Sequence, residues 1–183
     1  RTQRGNNNAY PQDNRTTWFD WNIGGRRRVM LEFTRRLIEL RRQHPNLHRR
    51  KFFQDRTISP GTTGREWKGR REEDISWLRP DGGPMAADEW HAGWVRCLGM
   101  RLSGKTLNDV NSAGEPIVDD TFLVMLNPNR EPIDFYMPKE DAGNSWEVCI
   151  DTAHPERTEE IVVRGGTPYH LAPHSLALLR ELE

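Results

Sequence analysis

Apolar residues recur along Met30, Phe33, Leu37 and Leu40 at spacings of 3, 4 and 3, with Val29 and Ile38 beside them. Such a stripe occupies one face of an α-helix. Arg35, Arg36, Glu39 and Arg42 form its polar side. His44-Pro45 ends it, because the residue before a proline avoids the α region. The pattern predicts a helix over Arg26–Gln43. Residues 1–25 show no period and read as a polar, Asn-rich loop that closes on Trp18, Phe19 and Trp21 and a Gly24-Gly25 break.

Beyond Pro45 the period shortens. Candidate strands are Leu47–Phe53, Ile75–Leu78, Trp94–Leu102, Thr121–Asn127, Ile133–Met137, Trp146–Asp151, Glu160–Val163, Pro168–Leu171 and Ser175–Arg180. A Gly/Thr/Arg-rich loop over Thr57–Arg71 and turn signals such as Arg79-Pro80-Asp81-Gly82-Gly83, Asn127-Pro128-Asn129 and Gly165-Gly166 separate them. Short strands punctuated this way predict an antiparallel β-sandwich. A structureless loop and a single helix are an unusual start for a compact domain, and they fit better as the end of a different domain whose bulk lies upstream.

The formal net charge is zero, yet residues 1–71 carry 18 Lys+Arg against 6 Asp+Glu, and residues 72–183 carry 9 against 21. The halves are therefore +12 and −12, which suits either a polyanion-binding front half or two parts of one protein that face each other. Cys97 and Cys149 form no CxxC pair, and His154, His170 and His174 have no clustered partners, so a reduced, cytoplasmic setting with no metal is expected, with one disulfide as the alternative; no glycine loop fits a phosphate or dinucleotide, so no cofactor is expected. Apolar runs such as Thr121–Leu126 are too short to span a bilayer, so no membrane partner is expected. The chain starts Arg-Thr-Gln and reads as a piece of something longer.

The densest polar and aromatic segment is Gly5-Asn6-Asn7-Asn8-Ala9-Tyr10-Pro11-Gln12-Asp13-Asn14, followed by Trp18-Phe19-Asp20-Trp21. Amides and carboxylates pair with vicinal hydroxyls, and an aromatic ring covers the C–H face of a pyranose, so the chemistry suits carbohydrate. Asn also caps turns and tolerates left-handed backbone, which accounts for the same composition without a ligand.

The first segment resembles the loop after the eighth barrel strand of bacterial glycogen debranching enzymes, the isoamylase-like branch of the α-amylase family of glycoside hydrolases. The similarity continues through Leu31-Glu-Phe-Thr-Arg-Arg-Leu-Ile, Asp74-Ile-Ser-Trp-Leu-Arg-Pro-Asp-Gly, Leu98-Gly-Met-Arg-Leu-Ser-Gly, Asp119-Asp-Thr-Phe-Leu-Val-Met-Leu-Asn and Leu171-Ala-Pro-His-Ser-Leu-Ala-Leu-Leu. Pro11 stands where the family's motif carries Cys.

The resemblance implies a parent (β/α)8 barrel that hydrolyses α-1,6 branch linkages in glycogen or limit dextrin by a retaining, two-carboxylate route. Residues 1–45 would be the loop after barrel strand eight and the eighth helix, and residues 46–183 a C-terminal β-sandwich. The expected fold is thus mainly β, an antiparallel sandwich preceded by the end of a TIM barrel. The family's catalytic carboxylates lie on earlier strands, so this chain holds no catalytic residue and is expected to be inactive alone. By position Asn7, Asn8, Tyr10 and Asp13 would contact α-glucan, and the missing barrel would be the other partner. Asp119-Asp120 reads as a turn rather than an acid/base dyad. A non-catalytic carbohydrate-binding module is the alternative, which would show coplanar exposed aromatics among Trp77, Trp94 and Trp146. A polyanion-binding domain is a third; nucleic acid is not the expected partner, because the basic pairs flank an apolar helix stripe.

Overall fold

The computed structural model describes residues 5–8, 10–54, 57–58, 72–93, 96–138 and 143–182. Helix α1 spans Arg26–Gln43, as the periodicity predicts. His44 ends it in extended backbone, its N–H still bonded to the Leu40 carbonyl, and Pro45 then opens a short 3₁₀ turn over Pro45–Leu47.

Ten strands lie among the described residues. A short ribbon pairs β1 (Thr57–Ile58) with β2 (Glu72–Glu73). The main sheet is antiparallel and contains β3 (Ile75–Leu78), β4 (Leu98–Leu102), β5 (Phe122–Asn127), β7 (Ser145–Asp151), β8 (Val162–Arg164) and β10 (Ser175–Leu182). Its order is β3-β4-β5-β10-β7-β8. A two-stranded sheet of β6 (Ile133–Tyr136) and β9 (Pro168–Leu171) lies over one face. The fold is mainly β, with antiparallel sheets.

Strand alternation divides the apolar residues between two cores. Leu123, Met125, Ala177, Leu179 and Trp146 face Phe135, Tyr169 and Leu171 of the small sheet. On the opposite face Phe122, Leu178, Leu102 and Ile150 pack against Phe33 and Leu40 of α1 and against Leu47. Helix α1 therefore covers part of the second sheet face. A register shift between β7 and β10 lets β7 serve both cores: Leu178 opposes Ile150 and Leu179 opposes Val148, leaving Cys149 as the extra residue. A bulge of this kind turns the following side chain to the other face, so Val148 joins the first core and Ile150 the second. Gly99 makes room for the small sheet, since a Cβ there would stand 2.6 Å from Cζ of fully buried Phe135.

The expected strand Leu47–Phe53 is corrected: residues 45–47 form the 3₁₀ turn and residues 48–54 lie outside any strand. The physical reason is Asn46, whose side chain takes over hydrogen bonds that a ladder would have supplied. Its amide donates to the carbonyls of Leu102 and Asp120, both at 3.0 Å, and its oxygen accepts from Nε (2.9 Å) and Nη2 (2.7 Å) of Arg49. Ile75–Leu78 and Pro168–Leu171 appear with the predicted bounds, and the others with shifts at their ends, among them Val162–Arg164 for 160–163; of the predicted Trp94–Leu102, residues 94–95 lie outside the described residues and the strand runs over Leu98–Leu102. Most of the Thr57–Arg71 loop lies outside the described residues.

Candidate functional site

The loop before α1 is built from short-range hydrogen bonds. The Asn8 N–H donates to the Asn6 side chain at 2.9 Å, and Gly5 supplies a positive φ of 78°. Thr17 Oγ1 donates to the Gln12 carbonyl at 2.6 Å, while the N–H groups of Thr17 and Trp18 both reach the Asn14 carbonyl at 2.9 Å. These contacts form a turn over residues 12–18. They also place Asp13 beside Trp18, whose indole N–H donates to Oδ1 at 2.6 Å.

Asn7, Asn8, Tyr10 and Asp13 are all exposed, Tyr10 to 89 %. Asp13 is tied to Trp18, whereas the side chains of Asn7 and Tyr10 stand in solvent. The structure thus brings Asp13 together with an aromatic ring but does not gather the four residues into one pocket. A cleft of about 590 Å³ lies instead between the loop and the start of α1, walled by Trp18, Phe19, Asp20, Arg27, Met30 and Leu31 among others. The Asp20 carboxylate accepts from Arg27 Nη1 at 2.8 Å, and that bond, with one from the Asn22 N–H, holds its pKa below the usual range. Phe19 and Trp21 meet edge to face at 4.8 Å.

A second polar cluster lies at the far end of α1. His44 is buried, with its ring edge-on to Phe122 at 4.9 Å and Nδ1 2.8 Å from Asp119 Oδ1. The other Asp119 oxygen accepts the Asn46 N–H at 2.8 Å, and Asp119 Oδ1 also accepts the Asp120 N–H. Arg49 Nη2 donates to the Ser103 carbonyl at 2.6 Å, and Arg180 Nη1 reaches Asp120 at 3.4 Å. Sequence reasoning took the Asp119-Asp120 pair for a turn, read His44 only as part of the helix stop, and did not single out Asn46. Their burial, invisible in the order of residues, is what joins them. His44, Asp119 and Asp120 have the proximity of a metal cluster, but His44 Nδ1 and both Asp119 oxygens are already engaged by protein hydrogen bonds. Their chemistry is that of a clamp between α1 and the sheet. Arg36 adds a second fastening, donating to the carbonyls of Pro155 and Arg157.

Downstream histidines pair with single carboxylates: His154 with Asp151 and His170 with Asp134, each at 2.9 Å. Burial pushes the Asp151 carboxyl upward, but bonds from His154, the Tyr169 hydroxyl and the Ala153 N–H outweigh it, leaving the pKa below its ordinary value. Of the aromatics expected on a binding face, Trp146 is fully buried in the first core, and Trp94 lies outside the described residues. Trp77 is half-buried and meets Trp90 edge to face at 5.4 Å.

Residues 74–177, more than half of the chain and nearly all of the two packed sheets, match the family described as isoamylase, C-terminal. The chain belongs to the isoamylase C-terminal family. The glycogen operon protein GlgX homolog of Mycobacterium tuberculosis (strain H37Rv) is 33% identical to it over 181 residues, 99% of this chain and 24% of that protein. The glycogen debranching enzyme of Cronobacter sakazakii is 37% identical over 114 residues, 62% of this chain and 14% of that enzyme. For the glycogen debranching enzyme of Salmonella typhi the figures are 31% over 138 residues, 75% and 16%. This isoamylase C-terminal chain thus spans about a quarter or less of the curated relatives it matches. The GlgX homolog is aligned over nearly all of it, loop and α1 included. No helix among the described residues is long and apolar enough to cross a membrane.

Proposed function

We propose that this chain is the C-terminal part of a glycogen-debranching glycosidase of the cytoplasm. In this reading residues 1–45 complete a (β/α)8 barrel and residues 46–183 form the sandwich that supports it. The parent hydrolyses α-1,6 branch linkages by the retaining route, with nucleophile and acid/base carboxylates supplied by upstream strands. Asn7, Asn8, Tyr10 and Asp13 contact α-glucan from the loop, the amides and carboxylate reaching hydroxyls and the tyrosine ring covering a sugar face.

The observation that carries this reading is the uncovered apolar surface of the loop and helix. Trp21 is 79 % exposed, Met30 62 %, Trp18 58 % and Ile38 55 %, and they are carried on the loop and on a helix whose Phe33 and Leu40 already face the sheet. Large apolar side chains exposed together on one loop and helix suit a surface made to be covered. The relatives' greater length leaves room for such a barrel upstream, and the names they carry support glycogen as the substrate class. The clamp at His44 and Asn46 would then fasten the last barrel helix to the sandwich.

The test compares this chain with a polypeptide of the relatives' full length on glycogen limit dextrin. The full-length protein should release linear oligosaccharides and new reducing ends, and the 183-residue chain none. Release by the short chain would place catalysis in these residues and overturn the assignment.

A further inference from the structure

Among the described residues, hydrogen bonds fasten α1 to the sandwich at two places along its length. The end of the helix is held through His44 and Asn46. Its middle is held by Arg36, whose Nη1 donates to the Arg157 carbonyl at 2.6 Å and whose Nη2 donates to the Pro155 carbonyl. We infer that Arg36 is a positioning residue: it fixes the angle of α1 on the sandwich, and through α1 the place of the loop that precedes it. That this loop meets substrate rests on the function proposed above.

The surface that receives Arg36 is shaped by one carboxylate. Asp151, buried at the end of β7, accepts from the Ala153 N–H and His154 Nδ1 at 2.9 Å, from Arg157 Nη1 at 3.2 Å and from the Tyr169 hydroxyl at 2.8 Å. The His154 N–H reaches the Asp151 carbonyl at 3.1 Å, and the Arg157 N–H reaches the His154 carbonyl at 3.0 Å. The Thr152 N–H ties the same loop to β10 through the Leu176 carbonyl at 2.9 Å. Residues 151–157 are thereby ordered independently of α1, and two of their carbonyls meet a single guanidinium. The planar fork of arginine suits two fixed acceptors at once, which the point charge of lysine does not. Arg36 is braced on its own helix as well, with Cζ 5.8 Å from the centroid of the Phe33 ring.

Position along the helix gives Arg36 its leverage. At 1.5 Å of rise per residue it stands about 12 Å from the clamp at His44, whereas the first turn of α1 stands about 28 Å away. Without Arg36 the N-terminal part of the helix keeps only the apolar contact of Phe33, which is non-directional. A tilt of about 5° at the clamp then carries the first turn by about 2.5 Å. The preceding loop travels with it, because Arg27 of α1 is bonded to Asp20 at 2.8 Å. Misplacing a substrate-positioning element by about 1 Å can cost about 100-fold in rate.

Two measurements test this. In the full-length polypeptide acting on glycogen limit dextrin, Arg36→Ala should raise KM about ten-fold and change kcat by less than about two-fold, the pattern of binding lost equally from ground and transition states. Arg36→Lys should fall between, and it carries the comparison if the alanine variant does not fold. Arg35→Ala, on the exposed side of the same helix and paired with Glu32, should leave both constants unchanged. In the 183-residue chain, with Cys97→Ser and Cys149→Ala, nitroxides at Arg28→Cys on α1 and Arg164→Cys on β8 report the tilt by electron–electron resonance; both sites are exposed. Their distance should be narrowly distributed, and should shift or broaden by about 2 Å when Arg36→Ala is added. An unaltered distance overturns the proposal. So do unaltered KM and kcat in Arg36→Ala, even with a lowered melting temperature, because the bonds would then be structural alone. A full-length polypeptide with no debranching activity removes the function proposed above, and the distance then decides by itself whether Arg36 sets the helix.

Discussion

Asn46→Ala tests how α1 is joined to the sheets. Asn46 is 3 % exposed and spends all its hydrogen-bonding capacity, with two donations to main-chain carbonyls and two acceptances from one guanidinium. Alanine leaves the Leu102 and Asp120 carbonyls short of a buried partner and frees one side of Arg49. A hydrogen bond is worth about 0.5–1.5 kcal/mol net, and a stranded buried group costs about 1–3 kcal/mol, so the substitution should destabilise by about 2–4 kcal/mol. Arg49 moderates the loss by keeping its bond to Ser103 and its stacking over the Phe53 ring at 4.4 Å. For a chain of this size the melting temperature falls about 2–4 °C per kcal/mol, which gives a drop of about 4–16 °C by calorimetry or circular dichroism. Arg49→Ala in the same background separates the Asn46–Arg49 component, because residues sharing a network fail to add. A loss below about 0.5 kcal/mol, the scale of ordinary surface substitutions, would mean that the clamp does not hold the helix.

Gly99→Ala should destabilise by about 1–3 kcal/mol, because the new methyl meets a fully buried Phe135 ring that cannot step aside; adding Phe135→Leu should recover part of the loss in urea denaturation. Tyr169 is pushed from 10.0 to about 12 by burial and by its hydroxyl bond to Asp151. The folded state therefore keeps a proton the unfolded state releases, so stability falls as pH rises from about 10 to about 12, and Tyr169→Phe should flatten that part of the denaturation profile. Cys149 is pushed up to about 11, chiefly by burial, and the Cys97 thiol is raised and 2 % exposed. Both should react slowly with a disulfide reagent at pH 8 in the native chain and promptly in guanidinium; prompt native labelling of either would contradict that placement.

The parts legible in the sequence were those whose cause is local. Helix α1 could be placed to the residue because a 3.6-residue apolar repeat and a His-Pro stop both act within a few positions. Strands β5 and β10 were legible because apolar runs between turn residues need no knowledge of their neighbours. The run Leu47–Phe53 misled for the opposite reason: its apolar ends suggested pairing, while its backbone is governed by Asn46, whose partners are Leu102, Asp120 and Arg49. Trp146 likewise read as a possible binding-face aromatic, since nothing local separates a buried indole from an exposed one. In the candidate site the polar and aromatic character of residues 5–21 was legible. The bond between Asp13 and Trp18, and the separation of Asn7 and Tyr10 from the cleft, were not.

The sequence by itself determined the class of the molecule: one amphipathic helix, a series of short antiparallel strands, and motifs that place it among isoamylase C-terminal chains. Those features depend on periodicity and turn chemistry, which act over a few residues. Tertiary structure alone decided which side chains share a location. It set His44 against Asp119, 75 positions away, turned β7 from one core to the other through a single extra residue, and bound Arg36 of α1 to the carbonyls of Pro155 and Arg157. Those outcomes depend on sheet order and register, and register is settled only when long-range burial makes one pairing cheaper than its alternatives.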